Sequence, residues 1–175
     1  MTTATETGIT TQVNRIYIKT NAQAVWDAIT KPEWTVRYGY GAIQEFDLRP
    51  GGAMRAFSSD VMKERGRELG YEIPDLAVDG EVIEADPPSR LVHTFRMLMG
   101  GPDMEAEGFT RITWEIQELQ PGFTKVTVIH DLEGAPQIAA LVSGELETEG
   151  AGGGWPELLS GLKTVLETGE SLRTD

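Results

Sequence analysis

Two histidines, His93 and His130, are the only imidazoles in 175 residues. Each falls on the apolar side of an alternating stretch: His93 with Leu91, Phe95 and Met97, His130 with Val126 and Val128. An imidazole in an apolar pocket can act as a general acid or base, or orient a ligand carbonyl. The plainer reading is a neutral core histidine with its nitrogens hydrogen-bonded, as buried polar groups usually are. No carboxylate stands at a fixed spacing to complete a triad, and no G-x-S-x-G elbow is present. With no cysteine and no metal-type cluster, zinc is not expected. No cofactor is expected either. Tyr38 and Tyr40, in RYGYG, suggest a loop at the mouth of a pocket, where they would gate it or donate hydrogen bonds. Amphipathic packing at the surface accounts for them equally well. The GAGGG stretch at 150–154 offers backbone N–H groups to an anion. Glu145, Glu147 and Glu149 just upstream repel one, and no lysine follows as in a phosphate loop. A loosely tethered hinge is the expectation there.

These residues need elements to position them. The most informative is 150–172, where Trp155, Leu158, Leu159, Leu162, Val165 and Leu166 form one stripe of an amphipathic helix. Pro156 fits its first turn, Glu157 suits its positive end, and Gly169 fits a C-cap. Ahead of it, residues 13–18 read as a strand, and Asn21 as the cap of a short helix carrying Ala22, Val25, Trp26 and Ile29. Pro32 breaks that helix and opens a second short one over 32–37. Residues 43–48 and 53–57 read as a hairpin around Arg49-Pro50-Gly51-Gly52, with Phe46 and Leu48 sharing a face. Residues 58–76 look like an insertion, with Asp60 as cap of a helical piece carrying Met62 and Leu69. Further strands are expected at 80–84, 91–98, 111–118 and 124–132. A polar loop fills 100–108. In the 111–118 strand Ile112, Trp114 and Ile116 share a face. A helical stretch at 136–142 and an acidic linker at 145–149 lead to the last helix.

The class is therefore α+β: a curved antiparallel sheet of about six or seven strands around a long C-terminal helix, with two short helices after the first strand. One apolar sheet face needs a cover, and the final helix is the available one. Residues 1–11 are expected to be a flexible N-terminus, and 12–172 a single domain.

Acidic residues number 28 against 15 basic, a net charge of −13. Such a surface disfavours nucleic acid and anionic membrane as partners. No apolar run reaches membrane-span length and no signal-peptide layout opens the chain, so a cytoplasmic home is the expectation.

The strings AVWDAIT, DLRPGGAMRAF, GEVIEADPPSRLVHTF, FTRITWEIQEL, TKVTVIHDLEG and GGGWPELLSGLKTVLETG, in that order, resemble the helix-grip, START-like (SRPBCC) superfamily. Within it they look most like the branch of the activator of the heat-shock chaperone ATPase (Aha-type). The likeness runs from Val13 to Leu172; the 60–76 insertion departs from the shortest members. Such folds often keep a hollow between sheet and helix. The resemblance thus implies binding of a hydrophobic or polycyclic small molecule there, as monomer or dimer. The inward residues Phe46, Met54, Phe57, Phe95, Met97, Trp114 and His130 would be its walls. Trp155, Leu159 and Leu162 would form its lid, with Tyr38 and Tyr40 at its mouth and Trp34 among the ligand-binding residues. The superfamily also implies alternatives. A polyketide cyclase or aromatase would use His93, His130, Tyr38 and Arg96. A self-sacrifice resistance protein for enediynes would be cleaved at a glycine, for which Gly108 is the candidate, against its ordinary use in a loop. A co-chaperone role ranks last, since the extra domain of the eukaryotic activators is not seen in these residues.

Overall fold

The computed structural model describes residues 10–173, so residues 1–9 of the expected flexible N-terminus lie outside the described residues. Seven antiparallel strands form one sheet in the order β1-β7-β6-β5-β4-β3-β2. β1 (Thr11–Ile18) leads into α1 (Ala22–Thr30) and α2 (Pro32–Thr35), then β2 (Ile43–Phe46) and β3 (Ala53–Phe57). After α3 (Asp60–Glu68) the chain runs through β4 (Leu76–Asp86), β5 (Arg90–Met97), α4 (Pro102–Glu105), β6 (Thr110–Gln120) and β7 (Phe123–Asp131). It ends with α5 (Pro136–Ser143), a 3₁₀ turn (Glu147–Glu149) and α6 (Gly154–Thr168).

The expected signals act where they were read. Asn21 caps α1 by accepting from the Ala24 N–H at 2.8 Å, satisfying one of the donors a helix start leaves open. Gly169, in the left-handed region, closes α6. On that helix Trp155, Leu159, Leu162 and Val165 are buried. They join Val82, Leu91, Ile112, Trp114, Ile116, Val126 and Val128 of the sheet in one core. A second cluster lies beside it, where Ile138 and Ala139 of α5 cover Met54, Ala56, Val78 and Met97.

Several boundaries differ from expectation, each for a local reason. β2 stops at Phe46, and Leu48 turns out to the surface. The backbone there leaves the ladder for the turn that Arg49 and Asp47 pin together. α3 is capped by Ser59, which accepts from the Met62 N–H, and Asp60 becomes its first residue. Leu69 of that segment is exposed, while Met62 is buried. β4 extends well beyond 80–84. Asp79, just ahead of the expected strand, is a ladder residue and receives a bidentate bond from Arg96 at 2.9 and 2.6 Å. A Cβ at position 80 would lie 2.0 Å from the Thr94 carbonyl oxygen, so only glycine lets β4 and β5 meet there. The polar 100–108 loop contains α4, opened by Pro102. Among the described residues no helix is long and apolar enough to cross a membrane.

Candidate functional site

β5, β6 and β7 set the centre of the concave face. Their register pairs His93 with Ile112, and Ile112 with His130. In-register neighbours share a face, so both histidines point toward α6 and α5 from one row. His130 is fully buried and His93 is 2% exposed.

The bonds around His130 fix its tautomer. Trp155 Nε1, which can only donate, gives its hydrogen to His130 Nδ1 at 3.1 Å. Nε2 therefore carries the ring's proton and donates to Thr110 Oγ1 at 2.7 Å. The Thr110 hydroxyl in turn donates to the Phe95 carbonyl at 3.2 Å. This relay ties α6 to three strands and leaves no ring nitrogen idle. Burial, with the other histidine nearby, lowers the His130 pKa to about 3. His93 is held down to about 4, chiefly by burial. Both rings are neutral at pH 7, which makes them weak bases rather than poised ones.

His93 is placed differently. Its Nδ1 lies 2.9 Å from the Thr94 carbonyl, which can only accept, so Nδ1 carries the hydrogen. The lone pair is then on Nε2, to which no described residue hydrogen-bonds.

Each histidine meets a phenylalanine edge-on: His93 with Phe46 at 5.3 Å between centroids, His130 with Phe95 at 5.7 Å. Trp155 completes the group, perpendicular to His130 and to Trp114. Phe46, Phe95 and Val142 pack against both core clusters and are half-buried. They form a seam between the clusters, flanked by the two imidazoles.

The other expected site residues distribute around this seam. Trp114, Leu159 and Leu162 are packed within the first cluster, and Met54 and Met97 within the second. Phe57 is half-buried at the end of β3 and joins neither. Trp34, on α2, rests against the first cluster with the Arg37 guanidinium 4.8 Å over its ring. Tyr38 is buried and donates to the Ala28 carbonyl at 2.8 Å; burial raises its pKa. Tyr40 is half-buried, and its hydroxyl accepts from the Gly154 N–H at 2.9 Å. Gly108 sits in the turn after α4, next to Phe109, which is exposed and stacks under Arg96 on the outer surface. Arg96 itself is engaged by Asp79.

The start of α6 is not slack. Gly153 N–H donates to Glu157 Oε2 at 2.6 Å, and Tyr40 takes the Gly154 N–H. Two of the backbone donors an anion would use there are thus already taken. Two adjoining cavities, of about 200 and 270 Å³, lie outside this end of the helix and share Tyr40, Arg65, Glu157 and Arg173. Between sheet and helix, by contrast, side chains from both sides meet in one cluster.

Sequence reasoning did not single out Thr110 or Val142. The alternation of β6 does carry Thr110 onto the same face as Ile112 and Trp114. Nothing local signals its bond to a residue twenty positions away. Among the described residues no group of His, Cys, Asp and Glu could hold a metal ion.

The family model for "Activator of Hsp90 ATPase homolog 1-like protein" matches residues 19–167, nearly the whole described fold. The chain belongs to that family. Solved structures share its architecture at low identity. DynU16, described as a putative protein in the dynemicin biosynthetic locus, is 19% identical with a TM-score of 0.61. The match covers 95% of this chain and 50% of that one, so this chain spans half of DynU16's length. PFC0360w, an HSP90 activator from Plasmodium falciparum, is 16% identical with a TM-score of 0.59, covering 90% and 96% of the two chains. CalU16 from Micromonospora echinospora is 18% identical with a TM-score of 0.52, covering 88% and 76%. No curated protein matches the chain. At these identities the solved structures show a shared fold alone, and activity has to be argued from the site.

Proposed function

We propose that this chain binds a small apolar, ring-bearing molecule at the seam between its two core clusters. The observation that carries this reading is the seam itself: Phe46 and Phe95, each half-buried and each set against an imidazole, where two separate apolar clusters meet. Phe46, Phe95 and Val142 are only partly buried and belong to the buried core of neither cluster, so displacing them would open the concave face with both clusters kept. Apolar pockets with a few placed polar groups are the usual form of small-molecule sites. Two neutral histidines without a carboxylate partner support binding over chemistry. DynU16's place in a dynemicin biosynthetic locus makes dynemicin a reasonable probe beside simple aromatic hydrocarbons.

Tryptophan fluorescence is the direct test, because Trp155 stands next to His130 and Trp114 packs edge-on against Trp155. Titration with naphthalene and anthracene derivatives should change the emission saturably. At a hundredfold excess over Kd the ligand should stabilise the fold by ~2.7 kcal/mol. No saturable response and no thermal shift with any of them would remove this function.

A further inference from the structure

Resting on that seam reading, we infer that the ligand is a neutral aromatic molecule carrying a hydroxyl or N–H group, which it donates to Nε2 of His93. The geometry decides which kind of group fits. Thr94's carbonyl cannot donate, so the hydrogen on the His93 ring is on Nδ1 and the lone pair on Nε2. Among the described residues no fully enclosed side-chain nitrogen or oxygen lacks a partner. No described residue hydrogen-bonds His93 Nε2, and since it is not among the fully enclosed atoms, it keeps a small accessible face although the residue as a whole is 2% exposed. His130 offers nothing comparable, since Trp155 and Thr110 take both of its nitrogens. The seam therefore presents one open acceptor, inside an otherwise apolar wall.

The surroundings settle the charge. Val82 and Ile112 flank His93 in register, and Phe46 lies edge-on against it. No cation stands among these neighbours to stabilise an anionic ligand, and no carboxylate to stabilise a cationic one. A charged ligand would lose its hydration without compensation. An acceptor-only ligand, such as an ether or a quinone, would set its lone pair against that of Nε2. A phenol or an indole matches on every count. The low His93 pKa keeps the lone pair available throughout the neutral range.

The test compares 2-naphthol with 2-methoxynaphthalene, which keeps the rings and removes the donor. Wild-type protein should bind the naphthol about 2- to 12-fold more tightly, the span of one net hydrogen bond. His93→Phe should bind both alike, while His93→Gln, whose side-chain oxygen accepts, should recover part of the preference. If neither variant folds, ¹⁵N spectra of histidine-labelled wild-type protein give the same answer. The Nε2 resonance of His93 should move with naphthol and stay with the ether. Equal affinities, with no movement of that resonance, overturn the donor requirement and leave the seam site standing. Failure of both compounds to bind overturns the seam site itself, and this inference with it.

Discussion

His93 and His130 stand on the same face of the same sheet, two strands or roughly 10 Å apart, with Ile112 between them in register. Their hydrogen-bond accounts differ. His130 is a junction: it accepts from Trp155 of α6 and donates to Thr110 of β6, which passes its own hydrogen to β5. His93 donates to a carbonyl on its own strand and keeps an acceptor unspent. The contrast teaches that burial alone does not distinguish a structural histidine from one available to a ligand. The inventory of which nitrogen gives and which receives does.

The largest expected effect treats the two alike. Both folded pKa values lie below the unfolded value of 6.5. The unfolded chain therefore takes up protons first as pH falls. The stability the neutral rings represent is complete above about pH 6.5 and is lost going down toward the folded values of about 4 and 3. Between pH 7.5 and 5 the pair should remove on the order of 4 kcal/mol. Glu157 and Glu167, whose pKa values are lowered from 4.5, contribute their losses only at more acid pH. Urea unfolding at the two pH values measures this; a free energy that does not move would show that the rings are not buried neutral.

The next effect separates the two residues. Thr110→Val preserves shape but leaves the His130 N–H enclosed without an acceptor, which should cost about 1–3 kcal/mol. His93→Phe removes one bond to a carbonyl and should cost about 1 kcal/mol or less. Equal losses in chemical denaturation would erase the distinction drawn between them. An effect of similar size to that of His93→Phe concerns the backbone at the start of α6. Tyr40→Phe takes away the group that accepts the Gly154 N–H, and about 0.5–1.5 kcal/mol should go with it. A change within error would mean that water replaces the phenol there.

Much of the architecture was legible because the signals are local. The α6 stripe, the Asn21 cap and the alternation of Ile112, Trp114 and Ile116 each depend on residues a few positions apart, and the structure follows them. Features set by distant partners were not legible. Nothing near Gly80 announces the Thr94 carbonyl that leaves no room for a side chain there. Nothing near α5 announces that Glu107, on the turn before β6, caps it by accepting from the Gln137 and Ile138 N–H groups. The inward direction of both histidines was read correctly from strand alternation. Their division of labour was hidden, because it turns on Trp155 and Thr110, which reach His130 only in the folded chain.

The glycines ahead of α6 have a further consequence. A Cβ at Gly154 would stand 2.2 Å from the Val142 carbonyl oxygen, and one at Gly144 would stand 2.7 Å from that of Gly153. The backbones leaving α5 and entering α6 thus touch directly, with no side chain as spacer. Trp155 is the very next residue, so this contact works as a depth stop, fixing how far the indole reaches toward His130. A methyl group at position 154 would press on the Val142 backbone, lift the indole off the imidazole and, through it, loosen the whole relay from the helix end.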